Sequence, residues 1–157
     1  MIVNLDELSG IGGVLCHGTF DGLHIGHVHY FKEAAKYGPL TVTLTADAYI
    51  RHHGPGRPVF PEALRAEMIE GYSFVRQVAI VHDETAIPAI RAIRPRIYCK
   101  GDETRREGNR VLDQEIRLVE GFGGDVVFIP KRLPYSSGAM LRGDLLQQSI
   151  TRAEHAA

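Results

Sequence analysis

Short runs of apolar and β-branched residues alternate along the chain with longer segments whose apolar positions recur at helical spacing. The short runs have the continuous hydrophobicity that is typical of parallel strands covered on both faces, and they predict strands at residues 14–16, 40–45, 78–81, 97–99 and 126–129. The longer segments predict helices at residues 25–37, 61–72, 86–93, 111–122 and 136–148. Pro61 suits a first helical turn, and Gly38 suits a helix stop. Gly123 and Gly124 suit a helix end before the last strand.

This alternation predicts an α/β protein built from right-handed strand–helix–strand units. We therefore expect a doubly wound, Rossmann-like parallel sheet of five strands with helices on both faces. The 157 residues match one domain of about 150 residues, with an expected core of residues 13–148 and a mobile C-terminal tail. In such sheets, ligands bind beyond the carboxyl ends of the strands, where the strand order reverses. The loops that follow the strands are the expected place for chemistry.

Composition and charge narrow the classes of partner. An apolar fraction of 44% and a charged fraction of 24% are typical of a globular protein. A net charge of −1 argues against a dedicated binder of duplex DNA and leaves a small anionic ligand open. The acidic N-terminal residues and the lack of a long apolar run predict a cytoplasmic protein with no membrane partner. Cys16 and Cys99 lie in predicted strands without zinc-site spacing, so we expect structural thiols.

The loop after the first strand carries the most informative sequence, HGTFDGLHIGH at residues 17–27. If a helix begins near its second histidine, His24 and His27 share one face at the helix N-terminus, where free N–H groups and the helix dipole favour an anion. Gly26 removes a side chain between them, and Gly18 and Thr19 can offer further N–H groups. Two imidazoles beside a phosphate chain can stabilise charge in a transition state. Capping histidines, core histidines or a metal pair are the alternative interpretations.

These residues resemble the cytidylyltransferase-like nucleotidyltransferase superfamily, whose signature is a GTFD-type turn followed by HxGH. Later segments are similar to its other motifs in the same order: residues 44–47 to a strand ending in Ser/Thr-x-Asp, 54–65 to the segment before the third strand, 98–102 to a VKGxD turn, and 134–141 to a helix start with paired hydroxyl residues. The branch that the chain most resembles is the heptose-phosphate adenylyltransferases, followed by the glycerol-phosphate cytidylyltransferases.

The resemblance implies a nucleotidyltransferase that uses ATP or CTP, with ATP favoured. A phosphate or phosphonate of a small sugar- or alcohol-type acceptor would attack the α-phosphorus of the triphosphate, and pyrophosphate would leave. Such enzymes use Mg²⁺, carried by the triphosphate, and form no covalent enzyme intermediate, so the protein positions the reactants and stabilises charge. The expected partners are therefore the triphosphate and the acceptor, with no nucleic acid, and we expect a homodimer.

The resemblance also implies roles for particular residues. The α-phosphate is expected at the backbone N–H groups of Gly18, Thr19 and Phe20, with room left by Gly26. Charge on the α- and β-phosphates is expected to be stabilised by His24 and His27. The β- and γ-phosphates are expected at the start of the last helix, at Ser136 and Ser137. The nucleotide or acceptor pocket is expected to be lined by Asp47, Arg57, Lys100 and Gly101. Possible metal contacts are Asp21, Asp102 and Glu103.

The chain departs from the family pattern at His53, which stands where the family has a phosphate-binding lysine. A histidine with a pKa near 6.5 is only partly charged at neutral pH, so we expect His53 to act as a pH-sensitive catalytic contact, or Arg51 to supply the charge. Gly138 replaces a hydroxyl residue of the last motif.

Several of the residues have plainer alternatives. Arg57 and Arg65 suit solvated charges, the paired serines suit an N-cap, and Asp21 suits a turn. His29 is expected to be packed or exposed rather than catalytic. A catalytically weak nucleotide-binding module and a metal-binding protein that uses the histidine cluster are the alternative functions.

Overall fold

The computed structural model describes residues 1–50 and 56–131, and its centre is a sheet of five parallel strands. The strands are β1 (Val14–Gly18), β2 (Leu40–Thr45), β3 (Val75–Val81), β4 (Ile97–Gly101) and β5 (Asp125–Ile129). Their order is β3-β2-β1-β4-β5. The chain therefore winds outward from β1 to β3, crosses the sheet, and winds outward again from β4, which confirms the predicted doubly wound fold. The strand order reverses between β1 and β4.

Helices cover both faces of this sheet. They are α1 (Ile25–Ala35), α2 (Glu62–Glu70), α3 (Ile87–Ile93) and α4 (Arg110–Gly121), with short 3₁₀ turns at Leu5–Leu8, Asp47–Tyr49 and Asp102–Thr104. Successive strand residues point to opposite faces. Cys16 accordingly packs in one core with Phe31 of α1 and Ile69 of α2. Leu15 packs in a second core with Ile90 of α3 and Val119 of α4.

The boundaries of several elements differ from the predicted ones. Strand β3 begins at Val75, three residues before the predicted start. Its next two residues, Arg76 and Gln77, are polar and not buried, because β3 is an edge strand; this polarity hides the start of the strand from a search for apolar runs. The N-terminus pairs with that edge, where Val3 donates its N–H to the carbonyl of Val78 at 2.9 Å, so part of the edge is paired.

The helix ends also shift by one to two residues. Pro61 is the N-cap of α2 rather than part of its first turn, and α1 ends at Ala35. Gly123 has φ 78°, the left-handed conformation common after a helix. A Cβ on Gly124 would collide with the carbonyl oxygen of Pro95, so this position requires glycine. The predicted helix at residues 136–148 and the predicted tail lie outside the described residues.

Two further expectations can be checked in this part of the chain. Cys16 and Cys99 are both buried free thiols, paired in register on neighbouring strands, as expected of structural thiols. Burial raises the pKa of Cys16, and the neighbouring Cys99 contributes, so this thiol is held in its unreactive form. Within residues 1–50 and 56–131, no helix has the length and hydrophobicity needed to cross a membrane.

Candidate active site

A cavity of about 500 Å³ opens at the carboxyl ends of β1 and β4, where the strand order reverses. We call it the central pocket. Its walls are the loop after β1 with the first half of α1, the end of β4 with the turn that follows, and the end of β5 through Lys131. The pocket thus lies where doubly wound sheets bind their ligands.

The central pocket brings together most of the residues that the sequence singled out. Those that line it are Gly18, Thr19, Phe20, Asp21, His24, Gly26, His27, Arg57, Lys100, Gly101 and Glu103. Asp47 and Asp102 are not among its lining residues. The predicted contacts of His53, Ser136 and Ser137, the alternative at Arg51, and the departure at Gly138 lie outside the described residues.

His24 and His27 form a close pair at the start of α1. His24 is the N-cap residue, and its Nδ1 accepts the N–H of Gly26 at 3.0 Å. In the neutral ring the proton is therefore on Nε2, which is left to donate to a ligand. The two ring centroids are 4.0 Å apart with an angle of 31° between the planes. The start of the helix thus presents both imidazoles from one face, as the spacing predicts.

Burial controls the charge of this pair. It lowers the pKa of His27 to about 4, and the neighbouring His24 contributes. Burial, and then the charge of Lys131, also lowers the pKa of His24. The Nδ1 of His27 is buried, and within the described residues it has no hydrogen-bond partner. An unpaired buried polar atom is costly, and no hydrogen bond of this nitrogen in the described residues offsets that cost.

The loop that precedes the helix is shaped by Phe20. Its φ of 51° lies in the left-handed region, and its ring lies edge-on to the rings of His27, at 5.4 Å, and Phe31, at 4.9 Å. A Cβ on Gly18 would lie 2.9 Å from this ring, so the loop requires glycine there. Because the ring of Phe20 is buried in the core, its backbone is the part that can contact a ligand, and the predicted use of N–H groups stays a prediction.

Asp21 has a structural role, which supports the turn interpretation over a metal contact. Its carboxylate accepts the N–H groups of Val59, at 2.9 Å, and Phe60, at 3.0 Å, and pairs with Nη1 of Arg57 at 2.7 Å. Burial raises the pKa of Asp21, but these hydrogen bonds outweigh burial, so the net pKa is lowered. Both carboxylate oxygens are engaged, and Arg57 lines the pocket as the partner of Asp21 rather than as a solvated charge.

The interpretation of Arg65 as a solvated charge is wrong. Its side chain is fully buried and donates to Asp47 Oδ1 at 2.6 Å and to the carbonyl oxygens of Phe60, at 3.0 Å, Thr45, at 2.9 Å, and Thr19, at 2.5 Å. A sequence signal for this burial exists, because Arg65 is one helical turn before the buried Ile69.

The prediction that Asp47 lines the pocket is not met either. Its Oδ2 accepts the N–H of Glu62 at 3.1 Å, while Oε2 of Glu62 accepts the N–H of Asp47 at 2.6 Å. These bonds fix Asp47 to the start of α2. The Asp47 carboxylate therefore binds the start of α2 and the Arg65 side chain.

Lys100 reaches the pocket from the end of β4 and is held by a residue that the sequence did not single out. Its Nζ is 3.7 Å from Oε2 of Glu115 on α4. Glu115 is buried and accepts the hydroxyl of Tyr98 at 2.9 Å and the N–H of Ala86 at 3.0 Å. Glu115 therefore connects α4 to the floor of the pocket. A charged residue on the buried face of an otherwise amphipathic helix is the signal that could have found it.

Further lining residues escaped the sequence reasoning, among them His17, Tyr30 and Lys131. His17 is buried, with Nδ1 2.9 Å from Oγ1 of Thr43 and Nε2 3.4 Å from Oγ1 of Thr45. Burial, and then the charge of Lys100, lowers the pKa of His17 to about 3, so its ring is neutral. Tyr30 donates its hydroxyl to the carbonyl oxygen of Cys99 at 2.6 Å and so joins α1 to β4. His29, exposed on α1 as expected, lies at the rim.

The residues around the pocket give little support to a resident metal ion. In the described ranges, no group of three or more His, Cys, Asp or Glu side chains could hold one. Asp21 is engaged as above, and Asp102 lies 3.8 Å from Nη1 of Arg105 at the surface. Of the three predicted carboxylates, Asp21 and Glu103 line the pocket. Asp21 pairs with Arg57, whereas Glu103 has no ion pair within the described residues. The predicted metal contact at Glu103 stays a prediction.

Known proteins are similar in sequence to most of this chain. The Cytidylyltransferase-like family model matches residues 15–140. The Bifunctional protein HldE of Trichlorobacter lovleyi is 34% identical over 131 residues, and that of Syntrophotalea carbinolica is 35% identical over 130 residues. Each match covers 82% of this chain and 26% of the relative. The chain thus spans about a quarter of the length of the curated relatives it matches.

Solved structures agree with the fold. A lipopolysaccharide core biosynthesis protein from Thermoplasma volcanium has a TM-score of 0.61 and 26% identity, and the match covers 81% of this chain and 100% of that one. Pantothenate synthetase from Thermus thermophilus has a TM-score of 0.59 at 15% identity over 88% of this chain and 66% of that one, a likeness of fold alone. The chain belongs to the Cytidylyltransferase-like family, as the resemblance of its GTFD and HxGH motifs implies.

Proposed function

We propose that this protein transfers a nucleoside monophosphate from ATP or CTP to the phosphate of a small sugar- or alcohol-type acceptor and releases pyrophosphate. The observation that carries this proposal is the close pair of imidazoles at the N-terminus of α1, with ring centroids 4.0 Å apart and both residues in the lining of the central pocket. A phosphate chain supplies an acceptor for the Nε2 proton of His24.

The chemistry follows from where the donors lie. Free N–H groups at a helix start, together with the helix dipole, attract an anion. His24 can donate from Nε2, and the ring of His27 lies beside it in the same wall, with a centroid distance of 4.0 Å. Hydrogen bonds from fixed donors strengthen as charge accumulates on the phosphates in the transition state. Neutral imidazoles suffice for this role, and a bound phosphate raises their pKa values and so strengthens the donors further.

Lys100 and Lys131 add positive charge on the other walls of the pocket. Both can contact the phosphates of the nucleotide or the acceptor. When bound with the triphosphate, Mg²⁺ would neutralise part of its charge, and Glu103 is the pocket carboxylate placed to contact it. The protein's own contribution is to orient the acceptor oxygen in line with the bond that breaks, since phosphoryl chemistry needs positioning and charge stabilisation above all.

We favour ATP over CTP, and a phosphorylated sugar as the acceptor. The support comes from the motifs that resemble heptose-phosphate adenylyltransferases, from the relatives named Bifunctional protein HldE, and from a similar structure named as a lipopolysaccharide core biosynthesis protein.

The test is a panel of ATP, CTP, GTP and UTP with Mg²⁺, each combined with phosphorylated sugars, phosphorylated alcohols and phosphonates. We expect acceptor-dependent release of pyrophosphate with ATP and a sugar phosphate. Release with CTP and an alcohol phosphate would keep the reaction and change the substrates. Nucleotide binding without pyrophosphate release from any pair would instead support a nucleotide-binding module that lacks transferase activity.

A further inference from the structure

The guanidinium of Arg65 contacts the loop of the central pocket from behind. Arg65 is absent from the pocket lining, and its side chain is fully buried. We propose that Arg65 is a positioning residue that orients the Thr19–Phe20 peptide so that the N–H of Phe20 faces a bound phosphate. This inference rests on the proposed function, because it assigns a source for one of the donors that the triphosphate meets.

The geometry of one peptide group carries the inference. Nη1 of Arg65 donates to the carbonyl oxygen of Thr19 at 2.5 Å. In a planar trans peptide, the carbonyl oxygen and the next N–H point in opposite directions. A carbonyl oxygen of Thr19 that is bound to the interior therefore directs the N–H of Phe20 away from Arg65. Thr19 and Phe20 both line the pocket, and the proposal places this N–H on the pocket side.

The conformation at this position needs external support. Phe20 has φ 51°, and the left-handed region is unfavourable for a residue with a Cβ. The buried ring of Phe20 fixes the side-chain end of the residue, and the bond from Arg65 fixes the preceding peptide. Together these contacts hold the residue at both ends in this unfavourable conformation.

The other contacts of Arg65 explain why a guanidinium is needed. Nε donates to the carbonyl oxygen of Phe60 at 3.0 Å, and Nη2 donates to that of Thr45 at 2.9 Å and to Asp47 Oδ1 at 2.6 Å. One planar group thus joins the loop after β1, the end of β2 and the start of α2. A lysine has a single nitrogen and cannot reproduce this fork. The loop is therefore fixed relative to two neighbouring elements.

The first experiment measures the affinity for inorganic tripolyphosphate with Mg²⁺ by calorimetry, at a temperature where circular dichroism shows each variant folded. We expect Arg65→Lys to weaken binding about 10-fold or more, the effect of one lost hydrogen bond to a charged group. Glu62→Ala is the matched control, since it removes the 2.6 Å bond to the N–H of Asp47 at the same junction and leaves Thr19 untouched. It should lower the melting temperature and leave the affinity within about 3-fold, well inside one such bond.

The second experiment needs no variant. In a ¹⁵N-labelled wild-type protein, tripolyphosphate should shift the amide resonance of Phe20 and slow its hydrogen exchange. An unmoved Phe20 amide on binding, or equal loss of affinity in Arg65→Lys and Glu62→Ala, would overturn the inference and leave the proposed function standing. A wild-type protein that does not bind tripolyphosphate at all would overturn both.

Discussion

Burial lowers the pKa of His17, His24 and His27 in the central pocket, and this property determines how they can act. A neutral imidazole at the start of α1 costs less to bury than an imidazolium, yet it still donates one N–H. The pKa of His27, about 4, and that of His17, about 3, place both rings in the neutral form at pH 7. His24 and His27 face the site, whereas both nitrogens of His17 lie within hydrogen-bond distance of threonine hydroxyls of β2. Histidine thus has two roles here: His24 and His27 face the pocket, and His17 contacts the threonines of β2.

The first prediction concerns turnover. His24→Ala and His27→Ala should each lower kcat by about 10²–10³-fold with a smaller change in nucleotide affinity, since each removes a donor that acts mainly in the transition state. His82→Ala is the control, because this exposed histidine lies after β3 outside the pocket lining. Steady-state kinetics with the best substrate pair would check it. Equal losses in affinity and turnover would assign the two histidines to ground-state binding instead.

The second prediction concerns pH. The folded-state pKa of His17 lies below the unfolded value near 6.5, so on acidification the unfolded chain takes up the proton first. Stability is then present above the unfolded pKa and falls as the pH falls through about 6.5 toward 3. Between pH 7 and pH 5, His17 alone should cost about 2 kcal/mol of unfolding free energy. Urea unfolding of His17→Gln at both pH values should show a loss smaller than the wild-type loss by about that amount; identical losses would contradict the burial of a neutral ring.

The sequence predicts residues whose position follows from local spacing. His24 and His27 are three residues apart at a helix start, so helix geometry alone places them on one face. Asp21, Arg65 and Glu115 are different, because each is stabilised by partners far along the chain: Phe60 lies 39 residues from Asp21, and Ala86 lies 29 residues from Glu115. Such partners depend on the packing of α2 and α4 against the sheet, which periodicity does not encode.

At the scale of elements, the loop between β1 and α1 is anchored by the ring of Phe20, which is buried in the core. The third prediction is that Gly18→Ala destabilises the protein by about 1–3 kcal/mol, the usual range for overpacking, because the new methyl group would lie 2.9 Å from the ring of Phe20. Gly121→Ala is the matched control, since its Cβ meets open space at the end of α4. It should leave stability unchanged or raised. Thermal and denaturant unfolding of both variants decide the point, and equal stabilities would refute the close approach.

Helix α4 is joined to the sheet by a buried carboxylate. The fourth prediction is that Glu115→Ala lowers the unfolding free energy by about 2–4 kcal/mol, because it leaves the hydroxyl of Tyr98 and the N–H of Ala86 without their acceptor. Glu115→Gln retains an amide oxygen and should lose less. The order of the two variants in urea unfolding is the measurement. A Gln variant as unstable as the Ala variant would mean that the negative charge beside Lys100 dominates.

At the scale of the whole molecule, the proposed function depends on the positions of a few charged groups and not on the net charge. The net charge is −1, yet the pocket gathers Lys100, Lys131 and the start of α1 at one end of the sheet. The sequence predicts this region in two steps. Buried parallel strands appear as apolar runs, which predict the doubly wound sheet, and such a sheet binds ligands where its strand order reverses. The edge strand β3 was found only in part for the opposite reason. The predicted contacts at residues 53, 136 and 137 stay predictions.

The measurement that tests the central claim most directly follows the label of the triphosphate. ATP and CTP, each labelled with radioactive phosphorus at the α- or the γ-phosphate, are incubated with Mg²⁺, the protein and a mixture of phosphorylated sugars and alcohols. We predict that the α-label passes to a new acceptor product while the γ-label leaves as pyrophosphate, both reduced by His24→Ala. Transfer of the γ-label to the acceptor, or its release as inorganic phosphate in a reaction that His24→Ala leaves unchanged, would contradict the assignment as a nucleotidyltransferase.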